Sequence, residues 1–503
     1  MIPVTHKSYI RELVVSPPRP WVVLKFGGTS VASAGRWRCI HHIVSRHRAA
    51  GARVLLVCSA LAGVTNRLES LLAELEQRHP YEAALTDLLE THALLAAELG
   101  LDCDRVLGPD IAALRVLLAR VDAAPRPIGA HDRAALMALG EVLSSRLGAA
   151  HLELRDEDVA WLDARTVLLT VGAGARAERF LSARCEARFD AAARARLDGL
   201  AASVVVTQGF IARDDAGCTV LLGRGGSDAS AAYLAAAIGA TLIEIWSDVP
   251  GMFSADPRAV RSARLLRRLS YGEAETLGAL GAKVLHPRTI EPARAAAVPI
   301  RLGWTTEPDV PGSRIVGARV PRGPKAIVSR AALALFTMRR PPSWQPVGFM
   351  AAIASRFEAR GLSMDLIASS SSEIRATVDL VAFPSVVGEL DTLLDELSLV
   401  SRVSVTTQVA CVSVVGSGVA RDLARSARAA ALFSDMPIHL ISHAADGGHV
   451  SVVVDRADAP VLVAGLHERL IAPLDDEGTF GPTWSSLERR PPRSMVALVQ
   501  GAS

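Results

Sequence analysis

Lys25-Phe26-Gly27-Gly28-Thr29-Ser30 closes an apolar run, Trp21-Val22-Val23-Leu24, and opens a helix-period run through Trp37, Ile40 and Val44. That order is strand, glycine turn, helix. Backbone N–H groups at such a turn point at an anion seated above the helix N-terminus, and the lysine adds a mobile positive charge. The alternative is a tight turn between two packed elements. The stretch is not a Walker A loop, because no Gly-Lys-Ser/Thr closes the required spacing. Val54-Leu55-Leu56-Val57 is a second buried-type run, so residues 21–60 read as the opening of a parallel α/β sheet.

Working outward, residues 66–160 switch to helical periodicity through Leu68, Leu71, Leu72 and Leu75, then Leu85, Leu88 and Leu89. A helical segment inserted between strands forms a lid or side wall. Sheet signals return at Val204–Thr207 and Thr219–Leu222, followed by a helix over Ser230–Ile238 and strands at Leu242–Trp246 and Ile300–Leu302. Pro308–Pro324 holds four prolines and three glycines and reads as a linker. Beyond it lies an internal repeat: Leu366-Ile-Ala-Ser…Ala376-Thr-Val-Asp379 resembles Leu440-Ile-Ser-His…Ser451-Val-Val-Val-Asp455. Each copy carries a helix before and after it, which gives two consecutive β-α-β-β-α-β units. The expected division is an extension (1–20), a catalytic domain (21–307), a linker (308–325), two regulatory units (326–400 and 401–473) and a loose polar tail (474–503).

Composition narrows the function. The 503 residues are 50% hydrophobic, enough for a sizeable core, and the net charge of +3 makes no electrostatic case for nucleic acid or membrane. Aromatics at 4% weaken a base-stacking reading further. The six cysteines form no CxxC pair and no Cys/His cluster with zinc spacing, a reduced pattern that points to the cytoplasm. His41, His42 and His47 lack the H-E-x-x-H arrangement and read as one solvated helix face. The first twenty residues have no apolar core of a signal peptide, and Ala229–Ile243 is too short to span a bilayer.

Five further segments carry chemistry. Gly223-Arg224-Gly225-Gly226-Ser227-Asp228 also ends a strand and opens a helix, with Asp228 or Ser227 as cap. Its glycines admit close approach, and its arginine is a planar fork for carboxylate or phosphate. Ser59-Ala-Leu-Ala-Gly63-Val-Thr65-Asn66 offers small residues and hydroxyls at a strand end. Glu141, after Gly140 in an alanine- and leucine-rich helix, is either a solvated face residue or an ammonium partner. Trp246 to Arg258 mixes hydroxyl, carboxylate, aromatic and guanidinium groups, which suits a nucleotide. Gly281-Ala-Lys283-Val284-Leu-His286-Pro287 places a lysine near the same edge. An ordinary surface loop remains the alternative for the last two.

Taken together, KFGGTSVA (25–32), VCSALAGVTNRL (57–68), GEVLSSRL (140–147), WLDAR (161–165), TQGFIA (207–212), LLGRGGSDAS (221–230), WSDVPGMFSADPR (246–258) and GAKVLHP (281–287) resemble the aspartate kinase family of the amino acid kinase superfamily, in the family's order. The resemblance implies a three-layer α/β sandwich with a mainly parallel sheet, followed by two ferredoxin-like ACT domains. It implies transfer of the γ-phosphoryl of ATP, with Mg²⁺, to the β-carboxylate of L-aspartate, the first step of lysine, threonine and methionine biosynthesis. Motif by motif, Lys25 with the Gly27 and Gly28 amides falls on the transferring phosphoryl. Ser59, Thr65, Glu141, Arg224 and Ser227 fall on aspartate, with Asp228 supporting the ammonium or the loop. Ser247, Asp248, Phe253, Arg258, Lys283 and Val284 fall on the ATP site; no residue is assigned as a metal ligand. The family often has Thr at Ser247 and Tyr at Phe253; the second change loses a phenolic hydrogen bond and implies weaker ATP binding.

The repeats resemble allosteric amino-acid sensors that pair between subunits, so a homodimer or dimer of dimers is implied, with lysine or threonine as effector. Met350 at a helix start and Ser363, Met364 and Asp365 on a strand are the implied effector positions, and Asp365 could face an ammonium. The segment Ser343–Val347 departs from lysine-sensitive relatives. Two other readings stand beside this one: a superfamily kinase for glutamate or a nucleotide, and a silent sensor that controls a partner. Intact Lys25, Glu141, Arg224 and Asp228 argue against the silent sensor. The polar tail could be the remnant of a linker to a second enzyme.

Overall fold

The computed structural model describes residues 19–155, 157–171, 176–282, 284–342, 345, 347–381, 386–425, 431–433 and 436–489. Strand β1 (Trp21–Phe26) is buried along its whole length. Its side chains alternate between two cores, as the period of two requires. Val22, Leu24 and Phe26 join one core with Trp37 and the leucines of residues 64–121. Trp21 and Val23 join the other with the helix Gly226–Ile238. Helices therefore cover both faces of the sheet, giving three layers. The helical segment expected over 66–160 is present as five helices between Val64 and Glu153 and forms one of these layers.

Strands β2 (Arg53–Cys58), β3 (Val159–Leu162) and β4 (Val204–Gln208) lie on one side of β1. β5 (Ile211–Arg213) and β6 (Thr219–Leu221) form a separate hairpin, so the 219–222 run is not a strand of the central sheet. β7 (Leu242–Ser247), β9 (Arg268–Ser270), β10 (Ile300–Trp304) and β11 (Arg314–Val316) complete the sheet, while β8 (Arg264–Leu266) stands outside it. The order is β3-β4-β2-β1-β7-β10-β11-β9. The first six strands are parallel, and β11 reverses against β10. Because β11 belongs to this sheet, residues 308–325 are not a free linker: the prolines flank a short strand rather than prevent one. The register aligns Phe26 with Cys58, Cys58 with Gln208, and Ser247 with Trp304. The loops that follow these residues thus crowd one edge, the carboxyl ends of parallel strands, where open α/β sheets take their ligands.

The C-terminal region is one antiparallel sheet of β12 (Ala326–Arg339), β13 (Ile367–Ser369), β14 (Glu373–Asp379), β15 (Arg402–Val415), β16 (Ile438–His443) and β17 (His449–Asp455), in the order β13-β14-β12-β15-β17-β16. β12 and β15 run 14 residues each and serve two units at once. Leu333–Arg339 pairs with β14 and with the start of β15. Ala326–Arg330 pairs with Cys411–Val415, on the far side of a register shift. The two repeats are therefore not consecutive. The fourth strand beside the second half of β15 comes from the start of β12, so the chain leaves this sheet after helix Ala459–Leu470. It returns to the catalytic domain, where β18 (Phe480–Thr483) pairs with β8. The tail expected to be loose is thus docked as far as it is described. Ala326, Ile327, Val412, Val414 and Leu462 share a core with Leu266 and Leu269, so this half of the regulatory sheet is continuous with the catalytic domain.

Candidate active site

The site begins where β1 runs out. Lys25 is 8% exposed, and its Nζ lies 2.5 Å from Asp228 Oδ1 in the first turn of helix Gly226–Ile238. This ion pair joins the two glycine loops that the sequence singles out. Gly28 has to be glycine: a Cβ there would fall 2.7 Å from the Ala60 carbonyl oxygen. Ala62 N–H donates to Gly28 O at 3.2 Å, which binds the first loop to the 59–63 loop. Ser30 Oγ and Thr305 Oγ1, 2.8 Å apart, tie the same loop to the end of β10.

Glu141 is the main correction to a residue-by-residue reading. It is not on a solvated face. It is 5% exposed on helix Leu139–Glu153, and Ala60 N–H donates to its carboxylate. Gly140 makes this possible, since a Cβ there would lie 2.9 Å from the Ala60 Cβ and 3.1 Å from Val64. Ser144 Oγ donates to Ser59 O at 2.7 Å and clamps the helix against the loop. Burial pushes the Glu141 carboxyl up to about 8, against the pull of the backbone donors and the Lys25 charge. A buried carboxyl held near neutrality beside a lysine is ready to take a cation that arrives with its own charge.

The second loop is braced from below. Gly225 adopts φ +67°, and a Cβ on it would lie 2.5 Å from the His286 Cβ. Arg288 Nη1 donates to Leu222 O at 3.1 Å. Segment 281–287 thus supports the loop, and Val284 is half-buried in it; Lys283 lies outside the described residues. Arg224 is exposed at the tip of the loop. Ser227 packs against Gly209, where a Cβ would lie 2.6 Å away. Ser59 is half-buried at the end of β2, and Thr65 is exposed in the first turn of helix Val64–Glu76. Buried Gln208 was not singled out by its residue type. Its Oε1 accepts from Ala164 N–H at 2.8 Å and its Nε2 donates to Ser145 Oγ at 3.0 Å, locking the Glu141 helix to β4.

Along the other wall, Ser247 Oγ turns back onto Val249, accepting from its N–H at 3.3 Å, while Asp248 is exposed. Phe253 is half-buried and bridges to Leu265. Arg258 is exposed, and its N–H donates to Asp256 Oδ1 at 2.9 Å. Ser254, next to Phe253, is fully buried; its Oγ lies 2.8 Å from Nε2 of His467 on helix Ala459–Leu470. Burial lowers the pKa of His467, so the imidazole is neutral there. The wall is therefore fastened directly to the regulatory region. Two of the three histidines read as solvated are not: His47 Nε2 lies 3.0 Å from the buried Glu244, and His41 Nε2 lies 3.3 Å from the buried Glu157.

The implied effector positions lie around helix Phe349–Ala359 and just before β13. Met350 is exposed in the first turn of helix Phe349–Ala359. Ser363, Met364 and Asp365 precede β13 rather than lying on a strand. Asp365 does not wait for a ligand: Arg330 Nη2 is 3.0 Å from its Oδ2, and Arg330 Nη1 is 3.4 Å from Asp379 Oδ2. Ser343, Trp344 and Pro346 lie outside the described residues.

Comparison with known proteins shows the family. The sequence profile of the amino acid kinase family matches residues 20–303. The lysine-sensitive aspartokinase 3 of Escherichia coli K12 is 32% identical over 456 residues, spanning 89% of this chain and 99% of that protein. The crystal structure of E. coli aspartokinase III with aspartate and ADP (R-state) superposes with a TM-score of 0.72 at 30% identity, covering 89% of this chain and 99% of that one. The structure of the same enzyme with lysine and aspartate (T-state) also gives 0.72 at 30% identity, covering 90% of this chain and 99% of that one. The chain belongs to the amino acid kinase family, in its aspartokinase branch.

Proposed function

We propose that the chain is an aspartate kinase that moves the γ-phosphoryl of ATP to the β-carboxylate of L-aspartate, giving 4-phospho-L-aspartate and ADP. The observation that carries this reading is the Lys25–Asp228 contact between two glycine loops, with Glu141 buried beside it. A side-chain carboxylate ionises near pH 4, so the acceptor is an anion at neutral pH and needs no general base. Its oxygen attacks the γ-phosphorus, and the bond to the bridging oxygen of ADP breaks. The work left to the protein is to bring two anions together and to stabilise charge spread over the transferring group. Lys25 supplies that charge with the Gly28 amide, and Asp228 fixes where the ammonium points; the Gly27 N–H expected beside them is instead donated to Trp246 O at 3.2 Å, so it holds the loop to β7. Glu141 receives the α-ammonium of aspartate, with Ser59, Thr65 and Ser227 around it, and Arg224 forks onto a substrate carboxylate. Ser247, Asp248, Phe253, Arg258, Lys283 and Val284 line the nucleotide side.

No group of three or more metal-ligating side chains occurs among the described residues. A Mg²⁺ that enters with ATP keeps phosphate and water oxygens and needs only one or two carboxylates from the protein. Asp248, exposed at the end of β7, is the side chain placed to meet it, and the ion would neutralise phosphate charge there.

We read the C-terminal sheet as two interleaved ACT units that form a dimer across their edges, and L-lysine as the effector, as in the relative named lysine-sensitive. An effector ammonium at Asp365 would compete with Arg330 for the carboxylate. The six cysteines, all free, suit a reducing cytoplasm. The deciding measurement is ADP release, or hydroxamate trapping of the acyl phosphate, with L-aspartate, L-glutamate and no acceptor, each with and without lysine and threonine. Aspartate-dependent turnover that lysine lowers is expected; folded protein with no aspartate-dependent turnover would overturn the assignment.

A further inference from the structure

The aromatic wall beside Ser247 has a member supplied from the far end of the chain. Phe253 meets Trp484 edge to face, with ring centroids 5.5 Å apart at 83°. Trp484 also lies against Trp304 at 6.2 Å and 28°. Trp304 is the register partner of Ser247 on the neighbouring strand. All three rings are only partly buried, so they leave an apolar surface open at the carboxyl ends of the strands. In a chain with 4% aromatics, three converging on one edge of the sheet calls for a reason.

Trp484 is held there by its own segment. Its N–H donates to Ala263 O at 2.8 Å. Thr483 pairs with Arg264 and Phe480 with Leu266. The Arg264 guanidinium lies over the Phe480 ring, 4.8 Å from its centroid, and its Nη1 donates to Leu474 O at 2.7 Å. Every one of these contacts is made to the stretch directly after the 246–258 loop. Loop and C-terminal segment are one packed piece.

We propose that Trp484 is a positioning residue of the nucleotide site. It fixes the Phe253 ring edge-on, so that the ring stands ready for the adenine base, and in this way sets the affinity for ATP. The proposal deepens the reading of residues 246–258 as the nucleotide loop and rests on it. A phenylalanine has no hydroxyl to anchor its ring, so its orientation depends on neighbours. Edge-to-face packing supplies that anchor, and a ring oriented beforehand costs less to order when the ligand binds.

The test is initial-rate kinetics on the full chain for Trp484→Ala, Trp484→Phe and Phe253→Ala, varying ATP and aspartate separately. Trp484→Ala should raise KM for ATP roughly three- to tenfold. KM for aspartate should stay within about twofold, and Trp484→Phe should recover most of the loss. Melting of unliganded Trp484→Ala should stay near that of the parent, while the upward shift given by ADP shrinks. If Phe253→Ala raises KM for ATP and Trp484→Ala does not, the role of Trp484 is overturned and the nucleotide loop stands. If neither variant moves KM for ATP, the loop assignment falls and the proposal with it. Equal rises in both KM values, or no recovery with Phe, would mark a general structural loss and overturn the proposal. Should Trp484→Ala not fold, Trp484→Leu keeps most of the apolar volume without the ring and carries the same expectations.

Discussion

Lys25 and Glu141 are two charged side chains buried at one site, and the roles proposed for them lead to separate tests. Lys25→Ala should lower turnover by at least about 10²-fold, the scale seen when one preorganised donor to a developing charge is lost. The melting temperature should fall as well, because the Asp228 Oδ1 that faces Lys25 is buried and has no hydrogen-bond partner among the described residues, so the variant leaves it uncompensated; coupled ADP release and a melt check both. Glu141 gives a pH dependence of definite sign. Its carboxyl sits at about 8 in the folded chain against an ordinary 4.5, so the folded state holds a proton that the unfolded state has lost between those values. Stability from this group is full below the ordinary value and declines as pH rises toward 8. Aspartate binding runs the other way, because an ammonium needs the ionised form. Accordingly kcat/KM for aspartate should climb about tenfold per pH unit below 8 and then level. In Glu141→Gln the slope should vanish along with most of the affinity. A parent enzyme with a flat profile between pH 6 and 8 would remove Glu141 from the ammonium role. The place of Lys25 at the end of a buried strand, before a glycine turn, was legible from the apolar run that it closes. The burial of Glu141 was not legible from its own surroundings; it depends on Gly140 meeting Ala60 and Val64, a contact between elements that no periodicity announces.

At the scale of elements, long apolar runs such as Trp21–Phe26 and Arg53–Cys58 were readable as buried strands, since a strand covered on both faces has no polar alternation to hide it. Shorter pieces were not. The three-residue β6 looked like the end of a core strand, yet it pairs only with β5. β11 was hidden among the prolines of an apparent linker. The glycine loops were legible as loops, but not for their close fit to one another. Gly28→Ala tests that fit. A Cβ 2.7 Å from the Ala60 oxygen must displace one of the two loops. Overpacking of this kind costs about 1–3 kcal/mol. The variant should melt lower and show raised KM values for ATP and aspartate together. That joint rise distinguishes it from Trp484→Ala, which should move only the nucleotide.

Across the whole molecule, the catalytic and regulatory regions are joined by more than chain connectivity. Ser254 accepts from Arg264 N–H at 2.8 Å, lies 2.8 Å from His467, and its carbonyl accepts from Ile327 N–H at 2.8 Å. One residue of the 246–258 loop thus touches both a helix and a strand of the C-terminal region. His467→Ala should leave uninhibited turnover within about twofold while raising the lysine concentration for half inhibition, since coupling free energies of this kind run about 1–3 kcal/mol. An unchanged inhibition curve would show that the signal travels elsewhere. None of this was legible in the sequence: Ser254 lies in the 246–258 motif, but its partner His467 is 213 positions away and sits in no motif. The repeat itself was legible, but its interleaving was not: similarity between two copies says nothing about which strand closes which unit. That interleaving has a consequence for synthesis. As the chain leaves the ribosome, Ala326–Arg330 emerges long before its partner Cys411–Val415, and until then it is an uncovered strand edge. The unit that fastens to the catalytic domain is therefore the one that closes last. A nascent or cleaved chain that stops short of β15 exposes an edge ready to capture a strand from another molecule.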